Sequence, residues 1–319
     1  MKILVTGATG FIGVSLCRAL ISNPVLSVVG SGRSSMDLVA NNFLFARIPD
    51  SPSPVEWRSL LEGVDVVIHL AARAHVLSEV SRDPMAEFRH VNVEGTLTLA
   101  RQAIEAGVKR FIFLSSIGVN GSCTLTQAFD EASLPAPHAM YAVSKWEAEQ
   151  ALVSVCANKS MDLVVIRPPL VYGANAPGNF RRLLKLVSSG VPLPLAGIKN
   201  SRTMVALENL VDFIEVCTQH PLAANEIFLV SDEQSVSTPQ IIKALASAMQ
   251  SRTSLFTVPD LVLHGGAKLL GKLSVYQQLC GSLEIDSKKS RTLLSWVPPV
   301  DVKDALEKAG RDFKKNQMP

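Results

Sequence analysis

Tyr141 and Lys145 stand four residues apart in a stretch of helical character, and Ser115 and Ser116 close an apolar run ahead of them. Residues four apart share a helix face, so phenol and ammonium project into one space. A tyrosine carries protons poorly near neutrality, because its unperturbed pKa is about 10. A neighbouring ammonium, joined by the positive charge of an oxidised nicotinamide ring, favours phenolate and brings the group toward working pH. Tyr141 can then take a proton from a substrate hydroxyl while hydride departs, or return one in reverse, with Ser116 holding the same oxygen. Taken singly, each residue has a structural explanation: tyrosines and lysines are common on amphipathic helices, and a serine pair after a strand is often a helix cap. Together they point to hydride transfer.

That chemistry needs a dinucleotide, and residues 1–13, MKILVTGATGFIG, are built for one. Ile3, Leu4 and Val5 suit a buried strand, Gly7, Gly10 and Gly13 follow at a spacing of three, and residues 11–22 read as a helix. Such a turn aims backbone N–H groups and a helix N-terminus at a pyrophosphate. A second strand is expected at residues 26–30. At its end an acidic residue would bind a ribose hydroxyl and a basic one a 2′-phosphate; here stand Gly30, Ser31, Gly32 and Arg33. Arg33 points to NADP(H), a solvated arginine being the alternative. A third strand at 42–48, a proline-rich loop at 49–54 and a short helix at 55–62 lead to a clear strand at 64–70. Ala71 and Ala72 after it leave room for a flat ligand at a strand end. Residues 83–106 read as one long helix with Pro84 in its first turn, and 111–114 as the next strand. The alternation predicts an α/β fold of Rossmann type, a doubly wound parallel sheet.

The chain has 319 residues, 47% hydrophobic and 18% charged, enough for a sizeable core in one or two domains. A net charge of +3 with scattered lysines and arginines argues against nucleic acid as a partner. Cys17, Cys123, Cys156, Cys217 and Cys280 contain no C-x-x-C pair and read as reduced thiols of a cytoplasmic protein. Residues 1–21 lack the uninterrupted apolar run and cleavage site of a signal peptide. The most apolar later stretch, 258–273, is broken by Pro259, Asp260, His264, Lys268 and Lys272, so no membrane span is expected. His69, His75, His90, His138, His220 and His264 show no metal-ligand spacing, and no metal is expected.

The chain resembles the extended short-chain dehydrogenase/reductases of the nucleotide-sugar epimerase and dehydratase family. The likeness rests on T-G-x-x-G-F-x-G at residues 6–13, His69-Leu-Ala-Ala72, Asn92-Val-x-Gly-Thr96, Ser115–Ser116, Tyr141-x-x-x-Lys145 and Arg167-Pro168. Weaker similarity continues through Val171-Tyr172-Gly173, Asn179-Phe180, Arg202 and Ile285-Asp286-Ser287-Lys288. The resemblance implies that Ser116, Tyr141 and Lys145 are catalytic. It puts Gly7, Gly10, Phe11, Ile12, Gly13, Arg33, Leu70, Ala71, Ala72, Asn92, Ser115 and Pro168 beside NADP(H) or NAD(H), along with Tyr141 and Lys145. It turns Asn179, Phe180 and Arg202 toward the diphosphate of a UDP-sugar, a task that suits the arginine fork. His75 is a candidate sugar or phosphate contact, and Asn120, in place of the family's usual aromatic, a candidate sugar contact. A homodimer through residues 83–106 and 141–159 is implied in the same way.

Residues 126–130 do not supply the Thr-Asp-Glu of dehydratases, which disfavours dehydration. The wording of SSIGVNG and YAVSKWEAEQ resembles bacterial sugar reductases and epimerases of lipopolysaccharide O-antigen synthesis. A dinucleotide domain at residues 1–172 and a smaller α/β nucleotide-sugar domain at 173–319 are expected, with 227–230 returning as a strand to the first. Helices are expected at 180–189, 209–219, 238–249, with Pro239 at its first position, and 288–294. Two reactions at C4 of a UDP-hexose remain open: reduction of a UDP-2-acetamido-2,6-dideoxy-4-hexulose, to which Arg33 inclines, and 4-epimerisation of UDP-glucose or UDP-GlcNAc. A dinucleotide sensor without chemistry would be marked by loss of the Tyr–Lys pair, and both members are present.

Overall fold

Short, wholly apolar runs separated by amphipathic stretches leave a parallel sheet covered on both faces as the economical arrangement. The computed structural model, which describes residues 1–49, 55–74 and 83–317, has that arrangement. Its first half runs β1 (Lys2–Thr6), α1 (Phe11–Ile21), β2 (Ser27–Gly32), β3 (Phe43–Arg47), α2 (Arg58–Leu61), β4 (Val66–His69), α3 (Pro84–Arg89), α4 (Gly95–Glu105), β5 (Arg110–Leu114), α5 (Met140–Cys156) and β6 (Asp162–Arg167). The second half adds β7 (Leu170–Tyr172), α6 (Gly178–Ser188), β8 (Met204–Ala206), α7 (Leu207–Gln219), β9 (Ile227–Leu229), α8 (Thr238–Met249), α9 (Asp260–Leu269), α10 (Leu273–Cys280), α11 (Lys288–Leu294) and α12 (Val302–Lys315).

Seven strands form one parallel sheet in the order β3-β2-β1-β4-β5-β6-β9. The order reverses between β1 and β4, and the crevice beyond the C-terminal ends of those strands is where such sheets hold ligands. One face is covered by α1 and α7, with Ile3, Val5, Leu16, Leu20, Phe213 and Ile214 in its core. The other lies under α2, α4 and α5, with Leu4, Val67, Leu99, Ala103 and Leu152. A separate core around Tyr172, Phe180, Leu184, Ile242, Leu245, Leu306 and Phe313 joins α6, α8 and α12. The return to the first sheet is wider than the strand at 227–230: α7 and Leu294–Trp296 also pack there. Trp296 stacks edge-on against Phe213 at 4.9 Å and donates its indole N–H to Asp212 at 2.7 Å.

Several elements differ from the expectation in detail. The helix foreseen over 83–106 is interrupted by a π-helical turn at His90–Glu94, closed by the Gly95 N–H on the His90 carbonyl. Asp83 caps its start by accepting from the Ala86 N–H at 3.0 Å. The helix foreseen over 141–159 ends at Cys156. Pro239 is the second residue of α8 rather than the first, because Ser237 and Gln240 form a capping box that sets the start at Thr238.

Candidate active site

The turn after β1 needs glycine for measurable reasons. Gly7 has φ +70°, and a Cβ there would lie 2.8 Å from the Ala71 nitrogen. At Gly13 a Cβ would meet the Gly7 carbonyl oxygen at 2.2 Å, so α1 could not close on the turn. At Gly10 the one near atom is the Gly7 oxygen at 3.2 Å, and the space before the N-terminus of α1 is open. Leu70, Ala71 and Ala72 form the opposite lip, with the Ala71 N–H directed to Thr6 Oγ1 at 3.4 Å. At the end of β2, the Ser31 hydroxyl is fully buried and has no hydrogen-bond partner among the described residues. An open cradle of backbone N–H groups and a buried hydroxyl awaiting a partner fit a dinucleotide. Phe11 and Ile12 are half-buried and pack against the second and first cores. Arg33 is exposed, and its carbonyl accepts from Arg47 Nε at 3.0 Å.

The walls beneath the cradle are tied by buried polar groups. His69 bridges Thr6 Oγ1 at 2.7 Å and Thr96 Oγ1 at 2.9 Å, between Phe111 and Phe113. Burial, then the Lys145 ammonium, push its pKa down to about 3, so the ring is neutral. Asn92, within the π-turn, accepts from the Arg73 N–H at 2.8 Å and donates to the Arg73 carbonyl and Ser144 Oγ at 3.1 and 2.9 Å. Its amide holds the loop after β4 against α5. The Pro168 carbonyl accepts from the Ile117 N–H at 2.9 Å.

Ser116 and Tyr141 are brought near each other by a close approach of the turn at Ile117–Val119 to α5. A Cβ on Gly118 would sit 3.1 Å from Ala142 Cβ and 3.3 Å from Ser116 Oγ. Ser116 Oγ accepts from the Gly118 N–H at 3.1 Å, which leaves its own hydrogen to be donated outward. Tyr141 is half-buried with its ring edge against Phe88 at 6.5 Å. Lys145 is 1% exposed; its Nζ donates to the Leu114 carbonyl at 2.7 Å and lies 4.3 Å from the Phe113 ring centre and 6.0 Å from that of Tyr141. Burial pushes the Tyr141 phenol up to about 12 and the Lys145 ammonium down to about 7, the latter opposed by Glu149. Burial thus opposes ionisation of both groups; the lowering expected of the phenol belongs to the pair together with an oxidised nicotinamide, whose charge adds to that of the lysine.

Two further candidates have partners within the fold. Asn120 is 1% exposed, with its oxygen accepting from Arg167 Nη1 at 3.1 Å and its nitrogen directed to the Asp130 and Ser133 carbonyls at 3.3 and 3.4 Å. Its amide is held within the fold. Ser115 is buried and donates its hydroxyl to Glu149, so that hydroxyl is not offered to the cofactor. His75 lies outside the described residues.

The second wall gathers Asn179, Phe180 and Arg202 around a cavity of about 190 Å³, with Leu170, Val275 and Leu279. Arg202 uses Nη1 on the Gln278 and Gly281 carbonyls at 2.8 and 3.0 Å. Asn179 is exposed near the start of α6. The Phe180 side chain is 1% exposed and packs on Tyr172 at 5.5 Å, so its ring belongs to the core. Sequence reasoning passed over Glu149, whose signal was a carboxylate four residues beyond Lys145, on the same helix face. Among the described residues, no three His, Cys, Asp or Glu side chains gather as a metal site, and no helix is long and apolar enough to cross a membrane.

Comparison with known proteins gives the family and the fold. The profile of the NAD dependent epimerase/dehydratase family matches residues 3–231. The chain is 39% identical over 314 residues to the UDP-glucose 4-epimerase of Vibrio cholerae, covering 98% of this chain and 95% of that protein. It is 25% identical over 323 residues to the N-acetyl-alpha-D-glucosaminyl-diphospho-ditrans,octacis-undecaprenol 4-epimerase of Escherichia coli O157:H7, covering 96% and 93%. The fold is shared with the UDP-glucuronic acid 4-epimerase of Bacillus cereus in complex with NAD, at TM-score 0.78, 24% identity and 99% of both chains. Its cofactor is a nicotinamide dinucleotide, as the glycine cradle requires, and the protein is an enzyme. The chain belongs to the NAD dependent epimerase/dehydratase family, within the extended short-chain dehydrogenase/reductases.

Proposed function

We propose that the protein interconverts the C4 epimers of a UDP-linked hexose or N-acetylhexosamine, with Ser116, Tyr141 and Lys145 as the reacting set. What supports this reading is the alignment of the chain, over nearly its whole length, with a UDP-glucose 4-epimerase, together with Tyr141 and Lys145 side by side on α5 and Ser116 beside the turn packed against that helix. The bound nicotinamide supplies a reversible hydride acceptor. Tyr141 takes the proton of the sugar 4-hydroxyl as C4 loses hydride, Ser116 donates a hydrogen bond to the same oxygen, and Lys145 as ammonium offsets the phenolate charge. Once the 4-keto sugar has turned over in the site, Tyr141 would give its proton back to the C4 oxygen as hydride returned to the opposite face of C4, completing epimerisation with no net redox. Asn179 and Arg202 hold the diphosphate, and the enzyme works in the cytoplasm as a homodimer in surface-polysaccharide synthesis.

A second reading, reduction of a UDP-2-acetamido-2,6-dideoxy-4-hexulose, is favoured by Gly32 and Arg33 at the end of β2, which suit an exchangeable NADPH. One experiment separates them. The purified protein is given UDP-glucose or UDP-GlcNAc, and separately the 4-keto sugar with NADPH or NADH, and products are followed by NMR with cofactor absorbance. Galacto product without net cofactor change supports epimerisation. Cofactor consumed in step with the keto sugar establishes reduction and overturns the first reading.

A further inference from the structure

We infer that the buried Glu149–Arg167 pair is a positioning unit that holds Ser116 and the Tyr141–Lys145 face of α5 in one geometry and sets the charge state of Lys145. Tyr141, Lys145 and Glu149 follow one another at intervals of four along α5, so they share one face. Glu149 and Arg167 are 1% and 3% exposed. Arg167 donates Nε to both Glu149 oxygens at 3.0 and 3.2 Å and Nη2 to Oε2 at 2.5 Å. The remaining carboxylate capacity takes the Ser115 hydroxyl, and Arg167 Nη1 reaches Asn120. Ser116 is thus bracketed in sequence by two members of the network, Ser115 and Asn120. The Asn120 amide carries the connection on to the Asp130 and Ser133 carbonyls. Strands β5 and β6, helix α5 and the serine turn therefore meet at one buried pair.

Full burial of two charges costs several kcal/mol per ion before the pairing is counted. An apolar pair would fill the space without that cost, so stability is a poor account of the placement. The charge environment of Lys145 offers a better one. From β4 it faces His69, which is neutral; from β5, the Leu114 carbonyl and the Phe113 ring; from its own helix, Tyr141 and Glu149; and behind Glu149, from β6, stands Arg167. Glu149 favours the ammonium against burial, and the guanidinium of Arg167, paired with that carboxylate, carries the opposing charge.

The inference rests on Tyr141 and Lys145 being the reacting groups, and its test is independent of the sugar. Lysine isotope-labelled at Cε is titrated by NMR in the NAD-bound protein, with Lys145→Arg identifying the resonance. Wild type is compared with Glu149→Gln, Arg167→Met and the double variant, and the alkaline limb of kcat with UDP-glucose is recorded in parallel. Glu149→Gln should move the Lys145 titration down by about one pH unit, and Arg167→Met should move it up by a similar amount. The double variant, again neutral at this position, should return close to wild type in titration while kcat stays at least about tenfold low, because the ties to Ser115 and Asn120 are gone. Titrations unmoved in both single variants, or a folded double variant with wild-type kcat, would overturn the inference. If the single variants do not fold, the double variant alone decides it by that second criterion, and a double variant as unstable as the singles also overturns it. A wild type that turns over no UDP-sugar while the opposed titration shifts persist removes the functional reading and leaves this inference standing.

Discussion

Helix α5 on one wall of the cleft buries seven of its side chains, Lys145 and Glu149 among them, whereas α9 and α10, beside the other wall, bury none. On the first wall several buried polar groups near Tyr141 and Lys145 are tied to partners: His69 between two threonines, Asn92 on Arg73 and Ser144, Glu149 on Arg167 and Ser115. On the second, Leu261, Leu269 and Leu270 stand 88%, 88% and 73% exposed on segments joined to the fold by few buried groups. Proton and hydride transfer tolerate little misplacement, which suits the placing of the residues proposed for them on elements locked by the sheet. Recognition of a substrate tail tolerates more, and the elements that shape it can be loosely held.

The largest expected effect breaks the first wall chemically. Tyr141→Phe removes the proton carrier and should lower kcat by about 100- to 10,000-fold. Dinucleotide binding, followed by fluorescence titration, should remain within a few-fold of wild type. A variant retaining a tenth of the activity would show that another group carries the proton.

Next is a pH effect on stability rooted in His69. Its folded pKa lies near 3 against an ordinary 6.5, so the unfolded chain binds a proton that the folded one refuses. The stability contributed by the neutral ring is fully present above pH 6.5 and is lost as pH falls toward 3. The slope over that window is about 1.4 kcal/mol per pH unit. Urea unfolding of His69→Gln should lack this component, and identical acid profiles for the two proteins would refute the assignment.

A smaller effect is expected on the second wall. Arg202→Gln removes a cation from the cavity lined by Asn179 and should raise KM for the UDP-sugar about tenfold, roughly 1.4 kcal/mol, with kcat changed less. Loss confined to kcat would place Arg202 with the reacting groups instead. The smallest effect sharpens the contrast in anchoring. Leu269→Ser on α9 should change unfolding free energy by no more than about 0.5 kcal/mol, while Leu152→Ala on α5 should cost about 2–5 kcal/mol. Comparable losses would mean that α9 is covered after all.

The residues that the amino-acid sequence specifies by itself are those whose physics is local. Gly7, Gly10 and Gly13 are legible because the turn allows no Cβ at two of them and opens to space at the third. Strands β1, β4 and β5 are legible as apolar runs because both sheet faces are covered. Tyr141 and Lys145 are legible because helical spacing puts them on one face. Tertiary structure alone decided what those groups experience. Asn92, Ser115 and Asn120 read as ligand contacts in one dimension, yet packing commits each to a partner 19 to 52 residues away in sequence. The rise of Tyr141 and the fall of Lys145 follow from desolvation by elements far along the chain, which spacing cannot report. The return of α7 and Trp296 to the first sheet is likewise a matter of which apolar faces meet, and amphipathic periodicity shows that a face is buried without naming the surface that buries it.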